Sequence, residues 1–110
     1  MPMLIKAVSL TDGDVLEMGS GFFSTPLLHW ICKYKNQLYT YEDNPFYYKF
    51  ARQFQSRKHR IRFIESWDDL KIDRHWGVVF IDHMPDIRRG KDAIRFKDSA
   101  DYIVIHDSEW

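Results

Sequence analysis

The sequence suggests a ligand-binding turn at two closely spaced glycines. One glutamate precedes these glycines and another follows them. Gly19 and Gly21 permit a tight turn and let a ligand approach the backbone closely. Glu42 follows the next predicted strand, where a carboxylate can accept hydrogen bonds from both hydroxyls of a ribose. Glu17, two residues before the first glycine, suits a ligand that carries a positive charge, whereas a pyrophosphate needs positive potential at this turn. Ser24 stands where a dinucleotide-binding turn has its third glycine, so the pattern disfavours a nicotinamide cofactor.

Further polar or aromatic side chains stand at the ends of the later predicted strands. They are Ser66 and Trp67 after the third strand, Asp82 and His83 after the fourth, and Asp107 after the fifth. In a parallel sheet, ligands bind outside the carboxyl ends of the strands. We therefore expect these side chains to meet the glycine turn and Glu42 at one edge of the sheet.

Five short apolar runs alternate with helical segments and would position these residues. The predicted strands cover residues 14–18, 37–41, 60–65, 78–81 and 102–105. Ser24-Thr25-Pro26 and Asn44-Pro45 each combine a capping side chain with a proline in the first helical turn, so both predict helix starts. A third helix is predicted over residues 87–99. This alternation predicts a parallel sheet with helices on both faces and right-handed crossovers.

Composition bounds the class of protein. The chain has 110 residues, which predicts a single domain over residues 1–110, and its 16 basic and 16 acidic residues give a net charge of zero. A neutral chain lacks the positive field that drives nucleic-acid binding, so the basic run at 57–62 is interpreted as a solvated helix end and loop. The single cysteine, Cys32, excludes an internal disulfide. Because we find neither a signal peptide nor an apolar span of about 18 residues, we expect a cytoplasmic protein with no membrane and no nucleic-acid partner.

Five motifs carry a resemblance to a known family. They are VLEMGSG (15–21), YTYEDNP (39–45), IESWDDL (64–70), FIDH (80–83) and IVIHDS (103–108). In order and spacing the chain resembles the class I S-adenosylmethionine-dependent methyltransferases, and more narrowly the O-methyltransferases of the catechol and caffeoyl-CoA kind. The resemblance implies a Rossmann-like three-layer α/β/α sandwich with strand order 3-2-1-4-5, without the sixth and seventh strands of complete members. It also implies methyl transfer from S-adenosylmethionine to an oxygen of a small molecule.

The resemblance implies roles for individual residues. The implied cofactor-binding residues are Glu17, Gly19 and Gly21 for the methionine part, Ser24 for its carboxylate, Glu42 for the ribose, and Ser66, Trp67 and His83 for the adenine. In metal-using members the positions of Asp82 and Asp107 bind Mg²⁺, so Mg²⁺ would be a second cofactor and Asp82 is the candidate catalytic residue. Two positions depart from the pattern: Ser108 replaces the amide that usually completes the metal site, and Pro85 stands where the catechol type has a basic lysine.

Two other functions stay open. The chain could bind the cofactor, or no ligand, without catalysis and act through a partner, which the lack of the last two strands favours. A nicotinamide-dependent reductase is the third hypothesis, and Glu17 disfavours it.

The fifth predicted strand, residues 102–105, is apolar and lies at the edge of the expected sheet. Its backbone groups need partners, and the same edge of a second copy is self-complementary. We therefore predict a homodimer through this strand; the alternative is a monomer whose edge is shielded by residues 1–10.

Overall fold

The fold is built on one sheet of five parallel strands. In the computed structural model, which describes residues 2–33, 36–83 and 88–106, the strands are β1 (Val15–Met18), β2 (Leu38–Glu42), β3 (His59–Phe63), β4 (Trp76–Ile81) and β5 (Ala100–Ile105). Their order across the sheet is β3-β2-β1-β4-β5, and every neighbouring pair is parallel. The predicted order 3-2-1-4-5 is therefore confirmed.

Helices cover both faces of this sheet. The described residues form α1 (Pro2–Ser9), α2 (Ser24–Ile31), α3 (Pro45–Ala51) and α4 (Arg88–Phe96), with short 3-10 turns at Arg52–Phe54 and Trp67–Asp69. Successive strand residues face opposite sides of a sheet. On one side Val15 and Phe80 pack with Leu28 of α2, and on the other Leu16 and Ile81 pack with Phe96 of α4. This is the three-layer α/β/α arrangement that the sequence predicts.

Helix α1 is an element that the sequence pattern did not predict. It begins at Pro2 and buries Leu4, Ala7 and Val8, which share one side of a helix because they are three and four positions apart. These side chains join the core cluster on one face of the sheet, and the helix contacts β4 and β5. Residues 2–9 therefore cover a sheet face.

The two predicted helix starts differ in outcome. Helix α3 begins as predicted, because the Asn44 side chain accepts hydrogen bonds from the backbone N–H groups of Phe46 and Tyr47, and Pro45 is the first helical residue. The prediction of a hydroxyl cap on α2 is wrong: no side chain caps that helix. Ser24 and Thr25 instead donate their hydroxyl protons to Glu17, because a buried carboxylate without hydrogen-bond donors would be strongly destabilising.

Strand β5 is an edge strand in the part of the chain that the structure describes. It pairs with β4, and Tyr102 and Ile105 are 39% and 45% exposed. An edge with exposed apolar side chains is a ready template for a second strand. No membrane-spanning helix is found among the described residues.

We propose that β5 pairs with its copy in a homodimer, as the sequence predicts. Light scattering should then return twice the chain mass of 13.3 kDa at high concentration. Replacing Ile105 with lysine places a charge on the edge and should give the monomer mass. A mass near 13.3 kDa for the unmodified chain would contradict the dimer.

Candidate functional site

A cleft of about 470 Å³ opens at the carboxyl ends of β1, β2 and β4. It is lined by Ser20, Gly21, Phe22, Glu42, Asp43, Asn44, Pro45, Tyr47, Asp82, His83 and Arg89. Four of the residues that the sequence predicted for the site, Gly21, Glu42, Asp82 and His83, are therefore brought together. The other predicted residues lie behind the lining or outside the described chain.

The first glycine of the turn packs against the end of β4, and the second faces the cleft. Gly19 has φ +93°, and a Cβ atom there would lie 2.6 Å from the backbone nitrogen of His83, so only glycine fits without a backbone shift. Its N–H donates to the carbonyl of Tyr41 at 2.8 Å. A Cβ atom at Gly21 would lie 3.0 Å from Ser24 Oγ and 3.6 Å from Asp82 Oδ2. Gly19 thus ties β1 to its two neighbours, and Gly21 leaves space beside Asp82.

Glu42 is held at the end of β2 by four donors. Its Oε1 accepts from the N–H and the hydroxyl of Ser20 at 2.7 and 2.8 Å, and its Oε2 accepts from the N–H groups of Asp43 and Asn44, both at 3.0 Å. Burial raises the pKa of Glu42, and the hydrogen bonds from Asn44 and Ser20 oppose that shift. The carboxylate is therefore fixed in place on the cleft wall.

Glu17 lies beneath the glycine turn and does not line the cleft. It is fully buried on β1 and accepts hydrogen bonds from three hydroxyls: Ser24 at 2.7 Å, Thr25 at 3.0 Å and Thr40 at 2.8 Å. Burial raises its pKa from the ordinary value of 4.5 to about 7, and the three hydroxyl bonds oppose the shift. Any effect of Glu17 on a ligand must therefore act through space or through the turn above it.

Replacing Glu17 with glutamine should change how stability depends on pH. The folded carboxyl keeps its proton up to about pH 7, whereas the unfolded one loses it near 4.5. The folded state therefore binds more protons between these values, so the Glu17 contribution to the free energy of unfolding falls as pH rises from 4.5 to about 7. Glu17→Gln removes this pH dependence. The difference in free energy of unfolding, variant minus parent, should therefore increase by up to about 3 kcal/mol as pH rises across this window. Urea denaturation at several pH values measures the difference; parallel profiles would contradict the raised pKa.

Trp67, one of the two residues predicted to border the adenine, lies behind His83. Trp67 is 3% exposed, and its ring centroid lies 4.7 Å from that of His83. Ser66 accepts a hydrogen bond from the N–H of Asp68 and caps the 3-10 turn that follows. His83 itself lines the cleft and is 1% exposed. Trp67 therefore supports the cleft wall from outside, and Ser66 begins the turn that carries it.

A buried ion cluster on α4, which is not among the residues predicted from the sequence, anchors His83. Asp92 is fully buried and is hydrogen-bonded to His83 Nε2, to Arg88 Nε at 2.9 Å and to Arg95 Nη1 at 2.6 Å. Burial opposes ionisation of Asp92, but the bonds from Arg88, Arg95 and His83 outweigh it and lower its pKa. The spacing of Arg88 four residues before Asp92, and of Arg95 three residues after it, was a signal for helical ion pairs.

Asp82 is held between β4 and β5. Its Oδ1 is hydrogen-bonded to His106 Nδ1 at 2.5 Å and lies 3.6 Å from Arg89 Nη2. Arg89 also donates to the backbone carbonyls of His83 and His106 at 2.9 and 2.8 Å. The guanidinium therefore joins the ends of the two strands beside the cleft.

The predicted Mg²⁺ site has one of its two residues in the described structure. Asp82 is bonded as above, and Asp107, Ser108 and Pro85 lie outside the described residues. Among residues 2–33, 36–83 and 88–106, no group of three or more potential ligands could hold a metal ion. The described residues alone do not fit Mg²⁺, and no step is assigned to it.

Four aromatic side chains lie together at the mouth of the cleft. Phe22 lies 5.3 Å from Tyr47, 4.7 Å from Phe50 and 6.2 Å from Phe46 between ring centroids. Phe22 and Phe46 are nevertheless 57% and 65% exposed. We call these four residues the aromatic cluster. Three of its members lie on α3 and Phe22 lies in the turn before α2, so the cluster forms only when the fold brings these elements together.

Comparison of the sequence with protein-family models and with curated proteins finds no match. Among solved structures, the fold is similar to that of the tRNA (m1A58) methyltransferase TrmI from Aquifex aeolicus, with a TM-score of 0.57 and 17% sequence identity. The alignment covers 87% of this chain and 49% of that chain, so this chain spans about half the length of its structural neighbour. The Rossmann-like three-layer fold that the sequence resemblance implied is therefore confirmed.

Proposed function

We propose that the cleft binds S-adenosylmethionine and that the chain serves methyl transfer. The observation that carries this proposal is Glu42, a buried carboxylate at the carboxyl end of β2 that lines the cleft beside the glycine turn. The shared fold with a methyltransferase supports it. The proposal assigns the ribose to Glu42 and the space beside Gly21 to the methionine part.

The hydroxyl of Ser20 can turn away from Glu42 and free an acceptor position for a ribose hydroxyl. Ser20 Oγ lies 2.8 Å from Glu42 Oε1 and 3.2 Å from the carbonyl oxygen of Tyr47, so its proton has two acceptors within reach. When the hydroxyl donates to Tyr47, one acceptor position on Glu42 is released while the backbone N–H of Ser20 stays bonded at 2.7 Å. A ribose hydroxyl can then donate to Glu42 without leaving any buried polar group unpaired.

The charges around the cleft favour a cationic ligand. Its lining includes the carboxylates of Glu42, Asp43 and Asp82 and the guanidinium of Arg89. A sulfonium and an ammonium group meet attraction there, whereas the two phosphates of a nicotinamide dinucleotide meet repulsion. This supports S-adenosylmethionine over the reductase hypothesis.

Asp82 is the residue to which we assign proton removal from an oxygen acceptor. When bound, the cofactor supplies a methyl group on a sulfonium, and an attacking hydroxyl must lose its proton. Asp82 lines the cleft with Oδ2 next to Gly21, while His106 and Arg89 hold Oδ1. A fixed carboxylate at this position can take the proton without reorganising.

We assign recognition of the acceptor to the aromatic cluster. Two of its members, Phe22 and Tyr47, line the cleft, and edge-to-face contacts hold Phe22 against Phe46 and Phe50. Exposed aromatic rings in a fixed arrangement offer faces on which a flat ring can stack. A small aromatic alcohol is therefore the acceptor class that we propose.

A nucleobase in RNA is the second candidate acceptor. The structural neighbour is by name a tRNA methyltransferase, and strand β3 carries two exposed cations, Arg60 and Arg62, on one face. Exposed cations can pair with the phosphates of a nucleic acid. Methyl transfer from labelled cofactor to phenols but not to tRNA would support the first candidate, and the reverse result would support the second.

Calorimetry tests cofactor binding. S-adenosylmethionine and S-adenosylhomocysteine should bind, and NADH should not. Glu42→Gln should weaken binding by roughly tenfold, because losing a buried hydrogen bond to a charged group costs about 1–3 kcal/mol. Glu65→Gln makes the same chemical change at an exposed position outside the cleft and should leave the affinity unchanged. Equal affinities for the two variants would contradict the role of Glu42, and no binding by the parent chain would contradict the proposal.

A further inference from the structure

A second cavity of about 410 Å³ lies at the opposite, amino end of β2 and β3. The end of α2 and the loop before β3 form its walls. Its lining includes His29, Cys32, Arg57, Lys58 and His59. Two histidines therefore meet in a cavity to which the proposed methyl transfer gives no role.

An unbroken chain of hydrogen bonds runs from this cavity to the glycine turn. His29 Nδ1 lies 3.0 Å from His59 Nδ1, and His59 Nε2 lies 2.7 Å from Thr40 Oγ1. Thr40 donates to Glu17 at 2.8 Å. On the far side of Glu17, the hydroxyl of Thr25 donates to the carboxylate and accepts from the N–H of Gly21 at 3.0 Å. The chain thus connects the second cavity to the backbone that lines the first.

The single proton of each hydroxyl fixes the direction of this chain. Because Thr40 donates to Glu17, its oxygen must accept from His59 Nε2–H. A neutral His59 then has an unprotonated Nδ1, which accepts from His29 Nδ1–H. With Glu17 ionised, these hydrogen bonds therefore have one consistent arrangement of protons, in which both histidines are neutral.

The burial of these hydrogen-bonded side chains favours the neutral form of both histidines. His59 is 1% exposed, and burial, followed by the nearby His29, lowers its pKa to about 3. Burial and then Lys33 lower the pKa of His29. The other charged or titratable groups that face the chain are Asp82 and Cys32 near Glu17, and Arg57 and Lys58 at the second cavity. Burial raises the pKa of the Cys32 thiol to about 12, so Cys32 stays neutral.

We propose that His29, His59 and Thr40 form a proton relay that connects Glu17 to solvent in the second cavity. A proton that arrives at His29 Nε2 lets the Nδ1 proton of His29 pass to His59 Nδ1. The Nε2 proton of His59 then passes to Thr40, and the hydroxyl proton of Thr40 passes to Glu17. One proton enters and one carboxylate is neutralised, and both rings end neutral with their protons on the opposite nitrogens. The reverse sequence discharges Glu17.

The relay gives a fully buried carboxyl group a way to exchange its proton that does not pass through the ligand cleft. Glu17 is 0% exposed, and the glycine turn lies between it and that cleft. A ligand that fills the cleft would close the nearer way out and leave the path through His59 open. His59 and His29 thus control the charge on Glu17 beneath the turn, and they do so without touching a ligand in the cleft.

Nitrogen-15 NMR of the histidine rings in the free chain tests the relay without any cofactor. As pH rises through the titration of Glu17, the His59 proton should move from Nδ1 to Nε2 and the His29 proton from Nε2 to Nδ1, both with the Glu17 midpoint. Thr40→Val removes the hydroxyl at nearly constant size, so the two rings should stop following Glu17. Thr40→Ser keeps the hydroxyl and should restore the coupled change.

Three results would overturn the relay. They are ring tautomers that stay fixed while Glu17 titrates, rings that become imidazolium at the same midpoint, and a Thr40→Val chain whose rings still follow Glu17. If Thr40→Val fails to fold, the comparison of the parent chain with Thr40→Ser still decides, because both must show the coupled change. Cofactor binding is measured separately, so failure of the relay and failure of the proposed function are distinguishable.

Discussion

Replacing Asp92 with asparagine should lower the free energy of unfolding by about 3 kcal/mol. Asp92 is a fully buried negative charge with three cationic or hydrogen-bonding partners, Arg88, Arg95 and His83. Removing its charge leaves these donors poorly paired in the interior. The cost is placed at the lower end of the range for a broken buried ion pair because the side chains of Arg88 and Arg95 are 16% and 22% exposed and keep some contact with water.

Urea denaturation measures this loss, and Asp68→Asn provides the matched control. Asp68 bonds to the same Arg88 at 2.6 Å, but its side chain is 65% exposed. A pair that is this exposed contributes little to stability, so the control should unfold at the same urea concentration as the parent. Equal midpoints for the two variants would show that the Asp92 cluster does not anchor His83 and the cleft wall.

Replacing Gly19 with alanine should lower the free energy of unfolding by roughly 2–5 kcal/mol, because the backbone would be strained and the contact with β4 overpacked. Alanine rarely adopts φ +93°, and its Cβ would lie 2.6 Å from the backbone nitrogen of His83 and 2.7 Å from the carbonyl carbon of Asp82. Neither neighbour is a flexible side chain, so the ends of β1 and β4 must separate. We expect cofactor binding to be lost with the cleft geometry.

Gly90→Ala is the control for the loss at Gly19. Gly90 lies in helix α4, and a Cβ atom there would have no neighbour within 4 Å. Alanine favours a helix by about 1 kcal/mol over glycine, so this variant should be more stable than the parent. Thermal unfolding of both variants makes the comparison. A Gly19→Ala chain as stable as the parent would rule out the close packing of the turn against β4.

The fold was predictable because its signals are local. Asn44-Pro45 marks the start of α3 through a cap and a ring geometry that operate within one helical turn. The strands follow from apolar runs such as β4, whose six residues are all buried. The strand order came from the resemblance, since no local signal states which strands are neighbours.

The supporting contacts of the site were not predictable, because they depend on groups far apart in the chain. The hydroxyls of Ser24 and Thr25 look like helix caps until the fold places Glu17 beneath them. Trp67 meets the ring of His83 only because the fold brings the turn after β3 beside the end of β4. The pair His29 and His59 shows no spacing signal at all, since it forms between a helix and a strand.

Chemical-shift mapping with S-adenosylhomocysteine tests the central claim most directly, the claim that the cleft at the carboxyl ends of β1, β2 and β4 is the cofactor site. Addition of this ligand to nitrogen-15-labelled protein should shift the backbone amides of Ser20, Gly21, Asp43, Asn44 and His83 most strongly, because these residues line the cleft. The amides of residues 56–58, at the second cavity, should move little. Shifts centred on residues 56–58, or no shifts at saturating ligand, would contradict the account.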